Sequence, residues 1–161
     1  TNLDSYSVCG GEVGVQARWN NGFSARFTYA YTKEQLAKDK DGNTINNQYI
    51  PAREHAFNAR MDYDHQFTKH YGLNIGLSGR YLSGVENVEY KNYYNVSEGT
   101  LTVSYPAYTI WKLSLVQRIG KAVKVTAALD NLFGYKPKYY YLNSPITDGV
   151  NLQVGLSVDI Q

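Results

Sequence analysis

Several features that define common protein classes are scarce or missing in this sequence. The 161 residues contain a single cysteine, Cys9, so an internal disulfide and a disulfide-stapled scaffold are excluded. No run approaches the roughly 18 consecutive apolar residues of a membrane-spanning helix. The formal net charge is only +2, which lacks the basic footprint of nucleic-acid binders and the acidic excess of a calcium buffer.

The residues that are present alternate between apolar and polar along most of the chain. Hydrophobic residues make up 43% of the sequence, enough to argue against disorder, and sixteen residues are tyrosine. Alternation with a period of two indicates strands with one apolar and one polar face, and helical periodicity is nearly absent. The pattern predicts an all-β, antiparallel fold with about seven strands, at residues 12–19, 23–32, 57–64, 73–81, 108–118, 123–130 and 150–160.

The predicted connections alternate in length. Short turns of about three, eight (65–72) and four (119–122) residues alternate with stretches of roughly twenty residues. Short turns at one end and long Tyr-rich loops at the other are typical of a transmembrane β-barrel of the outer membrane, with turns facing the periplasm. If the seventh strand ends at the periplasmic side, the first strand also runs inward, and residues 1–11 then belong to an external loop. Seven strands is an odd number, so the chain is expected to be the end of a larger barrel.

The two predicted faces of these strands differ in chemistry. Aromatic residues lie near the strand ends of the apolar face, as expected at membrane interfaces: Trp19, Phe23, Tyr29, Tyr31, Phe57, Tyr63, Tyr81, Tyr108 and Trp111. The other face is charged: Glu12, Arg18, Arg26, Arg60, Asp62, Arg80, Lys124, Asp130 and Asp159. In a membrane barrel these charges line a hydrated or plugged lumen. In the alternative, a soluble sandwich or ligand-carrying barrel, they are ordinary surface.

One stretch near the end of the chain resembles a known family. Leu129-Asp130-Asn131-Leu132-Phe133, followed by Tyr135 and the run 139–141, is similar to the end of TonB-dependent outer-membrane receptors, where an Asn-Leu-Phe motif finishes the penultimate strand. Three further stretches resemble a hairpin, a loop re-entry and a strand of that family, namely residues 12–23, 50–57 and 108–113.

The resemblance implies a fold and a function. Residues 1–161 would be the C-terminal segment of the receptor barrel, about the last seven of about 22 strands, with the plug domain and the TonB-contacting box not present. The activity implied is import of a scarce nutrient, an iron-siderophore, haem or cobalamin, with energy from TonB, ExbB and ExbD. Its partners would be the outer-membrane lipid bilayer, the remainder of the receptor, the nutrient and, in some members, a surface lipoprotein. No nucleic acid and no cofactor are expected.

The candidate binding residues lie on the predicted external side. In haem importers of this family an external-loop histidine can ligate iron, and His55 occupies such a position. The alternative is a structural role, because a histidine that precedes a strand also packs against its neighbours or caps the strand. Loops rich in tyrosine suit the binding of a flat aromatic ligand or a siderophore. The simpler role for these tyrosines is packing within the loops and at the membrane interface. His65 and His70 are predicted to lie in a periplasmic turn. The tyrosine candidates are Tyr93, Tyr94, Tyr139 and Tyr140.

An enzyme is not expected from the sequence. Catalytic signatures are absent, and Asp62 and Asp64, with Arg60 beside them, fit lumen charges with ionic partners better than an acid/base pair. Two other functions stay open. One is a self-contained small outer-membrane barrel of about eight strands with an adhesive or structural role, and the other is a secreted soluble binding barrel.

Overall fold

The computed structural model describes residues 7–35, 52–92, 94–136 and 149–159 of the chain. Within these ranges β-strands predominate, and the helical structure is a three-residue 3-10 helix, Val96–Glu98. No helix in the described ranges is long and apolar enough to cross a membrane. The strands are β1 (Ser7–Arg18), β2 (Phe23–Gln35), β3 (His55–Thr68), β4 (Tyr71–Leu82), β5 (Val85–Tyr90), β6 (Thr100–Tyr105), β7 (Tyr108–Ile119), β8 (Val123–Asp130) and β9 (Asn151–Val158). The all-β prediction is confirmed.

Seven of these strands form one sheet in the order β1-β2-β3-β4-β7-β8-β9, and β5 and β6 form a separate two-stranded sheet. The pairs β7–β8 and β8–β9 are antiparallel. The pair β1–β2 runs antiparallel as well, because Gly10 lies against Tyr31 whereas Gly14 lies against Thr28. The seven predicted strands are therefore the seven strands of the main sheet.

The connections alternate in length as predicted. Residues 19–22, 69–70 and 120–122 form tight turns, whereas 19, 25 and 20 residues (36–54, 83–107 and 131–150) separate the other consecutive strands of the main sheet. We call these three separations the long connections. In the first turn the Trp19 N–H donates to the Phe23 carbonyl over 2.9 Å. Gly22 has a φ of 90°, and a Cβ atom there would strike the Asp64 carbonyl oxygen. Glycine is required at this turn for both reasons.

The prediction for the turn between β3 and β4 was wrong in length. β3 continues to Thr68 and β4 begins at Tyr71, so the turn has two residues. His65 therefore lies inside β3, where its ring stacks on Tyr63 at 5.9 Å and meets Phe67 edge-on at 4.6 Å. The His65 ring lies on the same side of β3 as the aromatic rings of Tyr63 and Phe67. The alternation of the strand therefore continues through a histidine, which a count of hydrophobic residues does not include. His70 lies in the turn, as predicted.

The prediction that residues 1–11 form a loop was wrong for residues 7–11. β1 begins at Ser7, and Cys9 is an exposed strand residue. This part of β1 lies against the backbone of β2, since a Cβ atom on Gly10 would meet the Tyr31 carbonyl oxygen. Backbone pairing needs no side-chain alternation, so the sequence pattern did not reveal the start of the strand.

The long connection after β4 contains a hairpin that was predicted as loop. β5 and β6 pair antiparallel, with Val85 opposite Tyr105 and Tyr90 opposite Thr100. β5 reads Val-Glu-Asn-Val-Glu-Tyr, a pattern that alternates poorly over six residues. Short strands of mixed polarity give too weak a signal for detection from the sequence.

The seven-stranded sheet has an apolar face and a polar face. Gly79 lies against the Trp111 ring, while Gly76 lies against Ser114 and Asp62, so odd-numbered residues of β4 and β7 share one face and even-numbered residues the other. Many large side chains of the apolar face are 37–71% exposed, and no described residue covers those exposed parts. A soluble sandwich buries this face. The exposed examples are Val13, Val15, Ile75, Leu113, Leu152 and Leu156.

Tyr108 departs from the predicted aromatic belt. It lies three residues from Trp111 on β7 and therefore on the opposite face of the strand. Its side chain is buried, and the Arg53 guanidinium carbon lies 4.8 Å from the ring centroid. The burial reflects a cation–π contact that sequence alternation does not encode.

The described residues belong to two compact units. The first contains residues 7–12, 30–35, 52–56, 82–92 and 94–108, and the second contains residues 13–29, 57–81, 109–136 and 149–159. The first unit holds the β5–β6 hairpin and the surroundings of His55. The second holds the three tight turns, the ion pairs of the polar face and the Asn-Leu-Phe motif.

Candidate functional site

Arg53 organises the residues that precede β3. Its guanidinium donates to the carbonyl oxygens of Ser83 and, over 2.9 Å, Pro106, and it lies over the Tyr108 ring. One side chain therefore joins the chain before β3 to both ends of the long connection between β4 and β7. Arg53 was not predicted as a site residue, because its partners lie 30 to 55 positions away and no local motif marks them.

His55 is the first residue of β3 and is held by Ser83. The His55 N–H donates to the Ser83 hydroxyl over 3.1 Å, and the His55 carbonyl accepts from the Ser83 N–H over 2.9 Å. Its half-buried ring lies 5.3 Å from the Tyr31 ring. These contacts fix the backbone and one side of the imidazole. The role of His55 as a ligand-binding residue stays a prediction.

A cavity of about 460 Å³ opens beside His55. Three carboxylate side chains, Glu34, Glu54 and Glu86, are among the residues that line it, together with Ser83 and the backbone of Gly84. The cavity is therefore acidic, which favours polar or cationic groups over carboxylates. In the described ranges no group of three or more His, Cys, Asp and Glu side chains is arranged to hold a metal ion.

The tyrosine candidates are only partly covered by the structure. Tyr94 lies after β5 with its side chain fully exposed, and its N–H donates to the Asn92 side-chain oxygen over 3.0 Å. Tyr105, another tyrosine of this connection, is buried, with 4% of its surface exposed. The other candidates, Tyr93, Tyr139 and Tyr140, lie outside the described residues.

Asn131 of the Asn-Leu-Phe motif closes the base of the connection between β8 and β9. Its side chain is 1% exposed, and its backbone has a φ of 52°, in the left-handed region. Its side-chain amide donates to the carbonyls of Tyr135 over 2.8 Å and Gly149 over 3.0 Å, and its side-chain oxygen accepts from the Tyr135 N–H over 2.9 Å. Asparagine suits this position because it tolerates the left-handed conformation and supplies both donors and an acceptor.

The other two motif residues join the same end of the sheet to β7. The Leu132 N–H donates to the Trp111 carbonyl over 2.8 Å. The Phe133 ring is 73% exposed and meets the Trp111 ring at 75° with centroids 6.3 Å apart. The motif is thus a structural anchor for the chain between β8 and β9, whose two sides it links through Tyr135 and Gly149.

The polar face carries three ion pairs. Arg60 pairs with Asp62 at 2.7 Å, Arg118 with Asp64 at 2.7 Å, and Lys112 with Asp130 at 2.9 Å. The prediction that Asp62 and Asp64 have ionic partners is confirmed, and the partner of Asp64 is Arg118 rather than the neighbouring Arg60. That pairing was invisible in the sequence because the two residues lie 54 positions apart.

An uncovered apolar face, a charged opposite face and tight turns alternating with long connections are the features of a transmembrane β-barrel. The family described as "TonB dependent receptor-like, beta-barrel" matches residues 1–132, and the chain belongs to this family. Its strands form part of such a barrel. No curated protein matches the chain.

Two solved structures are similar to the chain in fold. The FpvAI–pyocin S2 complex aligns with a TM-score of 0.70 at 14% identity, over 96% of this chain and 19% of that chain. The FrpB iron transporter from Neisseria meningitidis (F3-3 variant) aligns with a TM-score of 0.65 at 18% identity, over 95% of this chain and 23% of that chain. The chain therefore spans about a fifth of the length of each.

Proposed function

We propose that this chain is the C-terminal segment of the barrel of an outer-membrane receptor that imports a scarce nutrient with energy from TonB. The observation that carries the proposal is the uncovered apolar face of the seven-stranded sheet. A face of this kind needs an apolar solvent, and the lipid bilayer of a Gram-negative outer membrane supplies one. The remainder of the receptor supplies the other strands, the plug and the contact with TonB, ExbB and ExbD.

The family and one of its structural neighbours support the proposed class of nutrient. FrpB is described as an iron transporter, which supports an iron complex as the cargo. Iron-siderophore and haem are the leading candidates, with cobalamin as a third, and a carbohydrate is disfavoured. FpvAI is bound to a protein, pyocin S2, which supports external loops that also accept a protein partner.

The self-contained small barrel has less support. Family membership and the small share of each neighbour that the chain spans both favour a longer receptor. The denatured intact mass of outer-membrane species that contain this chain tests the point. A parent or partner of several tens of kDa is expected, and a lone species near 18 kDa would support the small barrel instead.

Uptake by cells tests the import proposal. The full-length receptor is expressed in a Gram-negative host that lacks its own importers, and uptake of radiolabelled iron-siderophore, haem iron and cobalamin is measured in strains with and without TonB. Uptake of one nutrient that stops without TonB is the expected result. Uptake of none of them, or uptake that persists without TonB, would overturn the proposal.

Substitution of His55 tests haem as the cargo. His55→Ala in the full-length receptor is expected to weaken haem binding at least about tenfold if its imidazole ligates iron, with a changed Soret band. His70→Ala is the matched control, because His70 lies in a tight turn and has an exposed side chain. Equal haem affinity of the two variants would exclude His55 as a ligand and leave siderophore and cobalamin.

A further inference from the structure

The β5–β6 hairpin keeps the register of the two strands that lead into it. Residue numbers of facing residues in the β4–β7 pair sum to 190, as the contacts of Gly76 with Ser114 and of Gly79 with Trp111 show. Residue numbers in the pairs of the hairpin have the same sum. The hairpin is therefore in register with the β4–β7 pair, from which two residues on each side separate it.

These separating residues, 83–84 and 106–107, form what we call the break. No backbone hydrogen bond joins its two sides among the described residues. Pro106 has no N–H to donate to a ladder. Gly84 faces Pro106 in this register, and a Cβ atom there would lie 3.2 Å from the Tyr105 carbonyl oxygen. With proline on one side and glycine on the other, the strand pair is weakest at this place and has the most freedom to bend.

Arg53 spans the break. Its guanidinium donates to the carbonyl oxygen of Ser83 on one side and to that of Pro106 on the other, and it lies over the ring of Tyr108. The planar guanidinium has five N–H donors in a fixed arrangement, so it binds two carbonyls at once. Tyr105 and Tyr108 are both buried. One charged side chain thus supplies hydrogen bonds where the ladder has none.

The break also contributes to the cavity beside His55. Residues 83–86, which are one side of the break and the first two residues of the hairpin, line this cavity. The position of the hairpin relative to His55 therefore sets the shape of the cavity, and all of these residues belong to the first compact unit. The other lining residues are Glu34 of β2 and three neighbours of Arg53, namely Ala52, Glu54 and His55.

We propose that Arg53 is a positioning residue that holds the β5–β6 hairpin across the break and thereby sets the shape of the cavity beside His55 for the nutrient. The proposal rests on the proposed function, in which the external connections bind the nutrient. Without the guanidinium the carbonyls of Ser83 and Pro106 lose their donor, and the hairpin bends at the break. Arg53 acts through the hairpin and not by contact with the nutrient.

The distance between the hairpin and β2 tests the holding role. The full-length receptor with Cys9→Ser carries spin labels in place of Lys33 and Thr102, two exposed residues of the first unit, and double electron–electron resonance gives their distance distribution in membranes. Arg53→Gln is expected to broaden the distribution about twofold, because the charge-assisted hydrogen bonds are lost. Arg53→Lys is expected to give an intermediate width. Arg80→Gln, at an exposed arginine of β4, is the control and is expected to keep the original width.

The reactivity of a thiol in the cavity tests whether the hairpin sets its shape. Val85→Cys, in the receptor with Cys9→Ser, places a thiol at a half-buried lining position. A water-soluble methanethiosulfonate reagent is expected to modify this thiol about tenfold faster with Arg53→Gln, the change in population that the loss of one hydrogen bond to a charged group allows. Ser97→Cys, at an exposed position after β5, is the control and is expected to react equally fast with either residue at position 53.

Nutrient uptake connects the cavity to the proposed function. Radiolabelled iron-siderophore, haem iron and cobalamin are offered to cells that express the full-length receptor. For the nutrient that is imported, Arg53→Gln is expected to raise the half-saturating concentration about tenfold and to leave the maximal rate within about twofold, because it changes binding and not transport. Arg53→Lys is expected to recover part of the loss. An unchanged urea midpoint of both variants shows that the barrel itself is intact.

Three outcomes would overturn the proposal. They are a distance distribution that Arg53→Gln does not broaden, a thiol at position 85 whose reaction rate does not change, and an unchanged half-saturating concentration in a receptor that imports one of the nutrients. Failure of the proposed function gives a different result. The original receptor would then import none of the three nutrients, whereas the distance distribution and the thiol would still respond to Arg53→Gln.

Discussion

The two faces of the sheet differ in whether their side chains find partners within the protein. On the polar face Asp62, Asp64 and Asp130 each find a cation within the protein. On the apolar face side chains such as Ile75 and Leu113 remain more than one third exposed, with no described residue over them. The polar face therefore tolerates water and partners of opposite charge, whereas the apolar face requires an apolar solvent that forms no hydrogen bonds.

The largest predicted effect is a charge on the apolar face. Ile75→Arg is expected to cost about 3 kcal/mol of unfolding free energy in a bilayer, because an arginine near the midplane must leave water. Urea unfolding of the receptor in lipid vesicles measures it. Ser24→Arg on the polar face is the control and is expected to change stability by less than about 0.5 kcal/mol. Equal small effects of both substitutions would remove the distinction between the faces.

The second prediction concerns Asn131, where β8 ends. Asn131→Ala is expected to cost about 2 kcal/mol, because it leaves the Tyr135 and Gly149 backbone groups without partners and places alanine at a positive φ. Asn131→Gly keeps the backbone freedom and is expected to cost about 1 kcal/mol less. The shift of the urea midpoint measures both. Equal costs for the two variants would mean that the left-handed conformation contributes nothing.

The third prediction compares two glycines of β4, one on each face. A Cβ atom on Gly79 would lie 2.6 Å from the Trp111 ring, and one on Gly76 would lie 2.6 Å from the Ser114 hydroxyl and 2.8 Å from an Asp62 carboxylate oxygen. Gly79→Ala is expected to cost about 1–2 kcal/mol because the indole must move. Gly76→Ala is expected to cost less than about 1 kcal/mol because short polar side chains rotate away. Trp111 fluorescence and unfolding curves distinguish the two, and the reverse order would contradict the assigned faces.

The smallest prediction concerns an ion pair of the polar face. Asp64→Asn is expected to cost less than about 1 kcal/mol, because both Asp64 and Arg118 are more than one third exposed. The cost is expected to shrink when salt rises from about 0.1 M to 1 M. A double-mutant cycle with Arg118→Gln isolates the pair. A coupling energy independent of salt would show that the polar face excludes water.

The alternation of side chains made most of the fold predictable. β8 matches its predicted bounds of 123–130, and β7 differs by one residue. The start of β1 at Ser7 and the β5–β6 hairpin were missed, because those strands are defined by backbone pairing rather than by side-chain alternation.

The candidate site was less predictable than the fold. The motif at Asn131 was recognised from the resemblance of residues 129–133 to a family motif, and the structure shows that its partners Tyr135 and Gly149 lie within 18 residues of it. Arg53 and the acidic cavity beside His55 were not, because they assemble from side chains brought together by separate connections. Contacts between residues distant in sequence leave no periodic signal.

One measurement on β4 tests the central claim that its apolar face contacts lipid. In the full-length receptor with Cys9→Ser, spin labels at residues 73–75, 77, 78 and 80 are probed in membranes with oxygen and with a water-soluble nickel chelate. The account predicts that Leu73, Ile75 and Leu77 respond to oxygen, and that Asn74, Ser78 and Arg80 do not and instead respond to nickel or are shielded by a partner. Equal oxygen accessibility at all six positions, or the opposite alternation, would contradict it.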